Sequence, residues 1–81
     1  MIQYEKAIIE SLEAALAGTS GQKLTGETRF EEIEGLDSAV IVAFQINLSK
    51  AIGDIADEAQ PMPEMTIAEF SREIENVEAG L

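Results

Sequence analysis

The sequence predicts an all-α fold, a small antiparallel four-helix bundle of three main helices plus one short helix, with a long loop between the first and second helices. Three observations predict it. Apolar residues recur at three- and four-residue spacing in three separate segments. Glycine and proline punctuate the chain between those segments. No stretch alternates apolar and polar residues over the length of a strand. A chain of 81 residues reads as a single domain, 1–81, and buries only roughly 60 to 65% of the surface it exposes when unfolded. Hydrophobic residues make up 46%, which argues against disorder, but the aromatics are few: Tyr4, Phe30, Phe44 and Phe70.

The first segment, QYEKAIIESLEAALA, places Tyr4, Ile8, Leu12, Ala15 and Leu16 along one face and Lys6, Glu10 and Glu13 on another. This spacing predicts an amphipathic helix that ends near Gly18. Residues 18 to 36 contain four glycines and no sustained periodicity, so they read as a loop. A loop of this length in a small domain needs to be functional or held by its own side chains. Leu24, Phe30, Ile33 and Leu36 are the expected pins.

From Ser38 the pattern predicts a helix to about Ile52, closed by Gly53, with Asp37 or Ser38 offering an oxygen to the unpaired first-turn amides. Its expected core face is Val40, Phe44, Leu48 and Ala51, flanked by Ile41 and Ile52. The opposite arc holds Gln45, Ser49 and Lys50, and also Ala39, Val42, Ala43 and Ile46. Half of the wet side is therefore apolar. A short helical turn around Ile55 to Ala59 follows, stopped by Pro61 and Pro63. Thr66-Ile67-Ala68-Glu69 then has the form of a capping box, which opens a last helix with Ile67, Phe70, Ile74 and Val77 on one stripe and Gly80 beyond its end.

Composition narrows the chemistry. Sixteen acids against 5 bases give a formal charge of -11, which opposes phosphate backbones and anionic membrane surfaces and favours a basic protein surface as partner. There is no cysteine or histidine, so a disulfide, a thiol nucleophile, a thiolate metal site and the commonest general base are all absent. Asp54-Ile55-Ala56-Asp57-Glu58 lacks the alternating ligands and central glycine of a calcium loop, and no metal is expected. The longest apolar run, Ala39 to Phe44, is short of a membrane span or a signal-peptide core. The expected location is the cytoplasm.

The block Phe30-Glu31-Glu32-Ile33-Glu34-Gly35-Leu36-Asp37-Ser38, followed by a helix, resembles the attachment site of acyl carrier proteins. That family's pattern is a phenylalanine or similar anchor, an aliphatic residue, Gly-x-Asp-Ser and an apolar helix. The long loop before the motif, the short helix after it and Thr66-Ile67-Ala68-Glu69-Phe70 opening the final helix sit at similar spacings, so the resemblance covers essentially all 81 residues. It implies that a separate phosphopantetheinyl transferase moves phosphopantetheine from coenzyme A onto the Ser38 hydroxyl, with Asp37 and Gly35 belonging to the recognised motif. It also implies that acyl groups ride as thioesters on that arm. The chain would be a carrier and not an enzyme, serving acyl-activating, condensing or acyltransferase enzymes of fatty-acid or specialised lipid or polyketide synthesis. No nucleic acid and no membrane insertion are expected, and the chain is taken as a monomer.

Each of these residues also has a plainer reading. Asp and Ser are common helix caps, and Glu31, Glu32, Glu34, Asp54, Asp57 and Glu58 can be ordinary solvated surface. Two departures from the family pattern stand out. Ala39 occupies the position after the serine where the family has a large aliphatic residue, and no carboxylate follows Asp37 in this helix. Val40, Ala43, Ser49, Lys50 and Ala51 stand where acids would be expected. Partner recognition is therefore assigned to the apolar residues Leu36, Ala39, Val42, Ala43 and Ile46, with Asp57 and Glu58 adding attraction. The alternative is an interaction module that is never modified and binds a partner through the same helix face.

Overall fold

The computed structural model describes residues 3–16 and 23–80. Among these residues there are three α-helices, α1 (Gln3–Leu16), α2 (Ser38–Ile52) and α3 (Ile67–Glu78), and two 3-10 turns, Phe30–Glu32 and Asp54–Glu58. Among the described residues there is no strand, only an isolated antiparallel bridge between Arg29 and Thr66. The predicted end of the first helix at Gly18 lies outside the described residues.

Helix α1 forms where expected and buries Ile8, Leu12 and Leu16. The Asn47 side-chain amide of α2 donates to the Ser11 carbonyl at 3.4 Å, fastening the two helices. Helix α2 runs from Ser38 to Ile52 and stops at Gly53, whose φ of 90° is open to glycine at little cost. Its buried residues are Phe44 and Leu48. Ala51, expected on this face, is exposed, and Ile52 packs against the core instead. The buried stripe thus follows the four-residue row 44, 48, 52 and drifts away from position 51.

The short segment after α2 begins one residue earlier than predicted and is a 3-10 turn, Asp54–Glu58. Its tighter winding brings Ala56 into the core, and Ala59 follows at the cap, 1% and 2% exposed. Both α1 and this turn pack against α2 and α3 alike. The pins proposed for the long loop are in place: Leu24, Phe30 and Ile33 are buried, and Leu36 packs against them half-buried.

A further tie fixes the loop. Residues 26 to 31 run beside residues 63 to 68, joined by backbone bonds from Phe30 to Met65 (3.1 Å), Glu31 to Pro63 (2.9 Å), Ile67 to Thr28 (2.9 Å) and Ala68 to Gly26 (2.8 Å). The last two bonds satisfy first-turn amides of α3. The Thr66 hydroxyl accepts from the Glu69 amide at 3.1 Å, and the Glu69 carboxylate accepts from the Thr66 amide at 2.8 Å. All four amides of this helix start, Thr66 to Glu69, thereby find partners in the chain.

Candidate functional site

The approach to Ser38 is set by the pinned loop. Phe30 and Ile33 sit in the core, and the chain then turns outward at Gly35, whose φ of 81° lies in the left-handed region. Leu36 is half-buried, and Asp37 is extended at φ -116° and ψ -176°. Asp37 is the cap of α2. Its Oδ1 accepts from the Val40 amide at 2.9 Å, and its carbonyl accepts from the Ile41 amide at 2.8 Å.

Ser38 is the first helical residue and its side chain is exposed. The Asp37 carboxylate reaches past Ser38 and Ala39 to cap Val40, so the amides of Ser38 and Ala39 have no acceptor among the described residues. This helix start differs from that of α3, where the loop backbone takes the corresponding amides. The first turn of α2 contains no acidic side chain, while Lys50 lies in its last turn. The positive end of the helix dipole thus meets solvent beside the Ser38 hydroxyl, with Asp37 as the adjacent anion.

Two depressions are lined in part by residues of α2. A cleft of about 130 Å³ is lined by Phe30, Glu31, Leu36, Ile41, Pro61 and Pro63. Its walls are apolar apart from the Glu31 carboxylate. Glu31 also lies 4.0 Å from the Arg29 guanidinium, an exposed pair that contributes little to stability. The second depression, a shallow groove of about 460 Å³, runs along α2 and is lined by Val42, Gln45, Ile46, Ser49, Lys50 and Asp57.

The groove joins three of the residues assigned to partner contact: Val42, Ile46 and Asp57. Val42 and Ile46 are 56% and 52% exposed, and Ala39 is exposed at the start of the same helix. Glu58 is exposed on the neighbouring 3-10 turn without lining the groove. Leu36 lines the cleft instead, and Ala43 is half-buried and not fully on the wet arc. Sequence reasoning did not assign Ile41, Pro61 and Pro63 to a site. The prolines carry a helix-stop signal, which conceals their second use as a wall.

Among the described residues no three acidic side chains converge as metal ligands, and no helix is long and apolar enough to cross a membrane. No protein-family model matches the chain, and neither a curated protein nor a solved structure matches it.

Proposed function

We propose that the chain is an acyl carrier protein, modified with phosphopantetheine at Ser38 and working in the cytoplasm with a phosphopantetheinyl transferase and with acyl-activating, condensing or acyltransferase enzymes. The reading takes the turn Asp54–Glu58 as the short fourth helix of an antiparallel bundle. The observation that carries it is the exposed Ser38 at a helix start where the Ser38 and Ala39 amides have no acceptor among the described residues. Together with the resemblance of Gly35-Leu36-Asp37-Ser38 to a carrier attachment motif, this supports modification over simple capping.

The residues present fit such a group. The amides of Ser38 and Ala39 and the dipole of α2 favour a phosphodiester at that hydroxyl. Asp37 opposes it by like charge, and the bond its Oδ1 accepts from the Val40 amide turns that carboxylate toward the helix. The apolar cleft of about 130 Å³ beside Leu36 and Ile41 offers cover to a slender attached chain. When bound, the phosphopantetheine supplies the thiol that carries acyl groups as thioesters, chemistry this histidine- and cysteine-free chain lacks. The chain's own part is to hold that attachment point at a rigid helix start and to present a docking face beside it.

The test is the intact mass of the protein before and after incubation with coenzyme A, magnesium and a broad-specificity phosphopantetheinyl transferase. A gain of one phosphopantetheine that Ser38→Ala abolishes supports the carrier reading. No gain with several transferases favours the second reading, an unmodified interaction module, which the exposed Val42 and Ile46 side chains support.

A further inference from the structure

A groove of about 340 Å³ lies between the turn that precedes α3 and the first turns of that helix, lined by Met62, Glu64, Met65, Glu69 and Glu73 and by no residue of α2. Met62 is 46% exposed, the one large apolar side chain so exposed outside α2 among the described residues. A single exposed apolar side chain is ordinary, but this one is held on a rigid backbone. Pro61 and Pro63 bracket it and restrict its conformations. The Met65 amide donates to the Met62 carbonyl at 3.0 Å, closing a turn with Pro63 at its second position. The carbonyls of Pro63 and Met65 in turn accept from the amides of Glu31 and Phe30. Met65, beside it, is half-buried and packs against the core. The two thioethers give the groove a polarisable floor that adapts to an incoming apolar side chain.

Charge selects the occupant. The other three lining residues are carboxylates, and no base lines the groove among the described residues. Glu69 and Glu73, four residues apart, stand on one row of α3. The Glu69 carboxylate already accepts from the Thr66 amide, which leaves Glu64 and Glu73 to meet an incoming cation. A second copy of this chain, at -11, is repelled, as are an anionic membrane and a nucleic acid. A helical segment of another protein, with large apolar side chains on one face and lysines or arginines beside them, complements both the thioethers and the carboxylates.

We propose that this groove docks a basic amphipathic helix of a partner protein, with an apolar side chain seated on Met62 and Met65 and cations against Glu64 and Glu73. The inference stands apart from the carrier reading, because neither the groove nor its occupant involves Ser38.

The experiment titrates the full chain, isotope-labelled at its methionine methyls, with a synthetic helical peptide of leucine and lysine at three- and four-residue spacing. Met1, Met62 and Met65 are the only methionines, so the methyl signals read the groove directly. Binding is expected to shift the Met62 and Met65 methyls and to weaken as salt rises. Met62→Ser is expected to lower the affinity about fivefold, and Glu64→Lys combined with Glu73→Lys about tenfold. A charge-matched control on α1, Glu10→Lys combined with Glu13→Lys, is expected to lower it by no more than about twofold. Far-UV circular dichroism checks that each variant keeps its helices. Equal losses for the two charge-reversed pairs would reduce the effect to net charge and overturn the proposal. Equal binding of a peptide with serine in place of leucine, binding that leaves Met62 and Met65 unshifted, or no binding at all would also overturn it. A chain that gains no phosphopantetheine but whose Met62 and Met65 signals still shift would overturn the carrier reading and leave this one standing.

Discussion

The Phe30 ring meets the Phe70 ring edge to face, with centroids 5.5 Å apart and planes at 88°. Phe44 completes the cluster at 6.2 Å from Phe30 and 6.1 Å from Phe70. One ring thus comes from the loop before Ser38, one from α2 and one from α3. The cluster joins the approach to Ser38 to the two helices that flank it.

Phe30→Ala is therefore expected to destabilise the fold by about 3 to 5 kcal/mol, the usual cost of deleting a buried phenyl group. Against a total of roughly 5 to 15 kcal/mol for a domain, that is a large fraction. Phe30→Leu keeps most of the volume and loses the ring geometry, so its cost is expected to be smaller. Denaturant midpoints for the two variants check the ranking, and equal midpoints would refute it.

At Asp37, capping and recognition can be separated. Asp37→Ala removes the acceptor for the Val40 amide and is expected to cost about 0.5 to 2 kcal/mol, whereas Asp37→Asn keeps a capping oxygen and nearly full stability. If the carrier reading holds, Asp37→Asn still slows phosphopantetheine transfer. Unfolding curves and transfer rates on the same two proteins separate the roles.

Ser71 is fully buried, and its hydroxyl has no hydrogen-bond partner among the described residues. A buried unsatisfied hydroxyl costs about 1 to 3 kcal/mol, so Ser71→Ala is expected to leave stability unchanged or raise it by up to about 1 kcal/mol, after allowing for the small void. A clear loss in thermal midpoint would show that the hydroxyl has a partner in solution.

Tyr4 links the start of α1 to the end of α3. Its hydroxyl pKa is raised above the ordinary value by the side-chain hydrogen bond to Glu78, then by partial burial and by the negative charges of Glu78 and Glu75. Because the folded value lies above the unfolded one, this contribution to stability is complete below the unfolded phenol pKa, roughly 10. It is lost as pH rises through the folded value. Tyr4 is the only tyrosine and there is no tryptophan, so tyrosinate absorbance reports this group alone. Glu78→Gln is expected to bring the titration midpoint down, and an unchanged midpoint would count against the contact.

Much of this architecture is legible in the residues. Asp37 before an apolar run and Gly53 after it mark the limits of α2, and Thr66 with Glu69 marks the start of α3, because caps are side-chain chemistry. Ala51 was less legible. Alanine carries little periodic weight, and a helix can tilt its buried row from 51 to 52 without altering the pattern. The pairing of residues 26–31 with residues 63–68 left no trace, since backbone bonds have no side-chain signature. At the candidate site, the place of Asp37 and Ser38 at the helix start is readable from their order, while the cleft is not, because Pro61 and Pro63 approach Phe30 only through the tertiary fold.

That backbone pairing has a consequence for how the protein opens. The connector supplies the acceptors for the first turn of α3, so neither segment retains its full set of bonds when the other leaves. The two form one cooperative unit, assembled across a wide separation in the chain. Amide exchange at Phe30, Ile67 and Ala68 then follows a single shared opening, and the segment leading to Ser38 loosens only when α3 loosens with it.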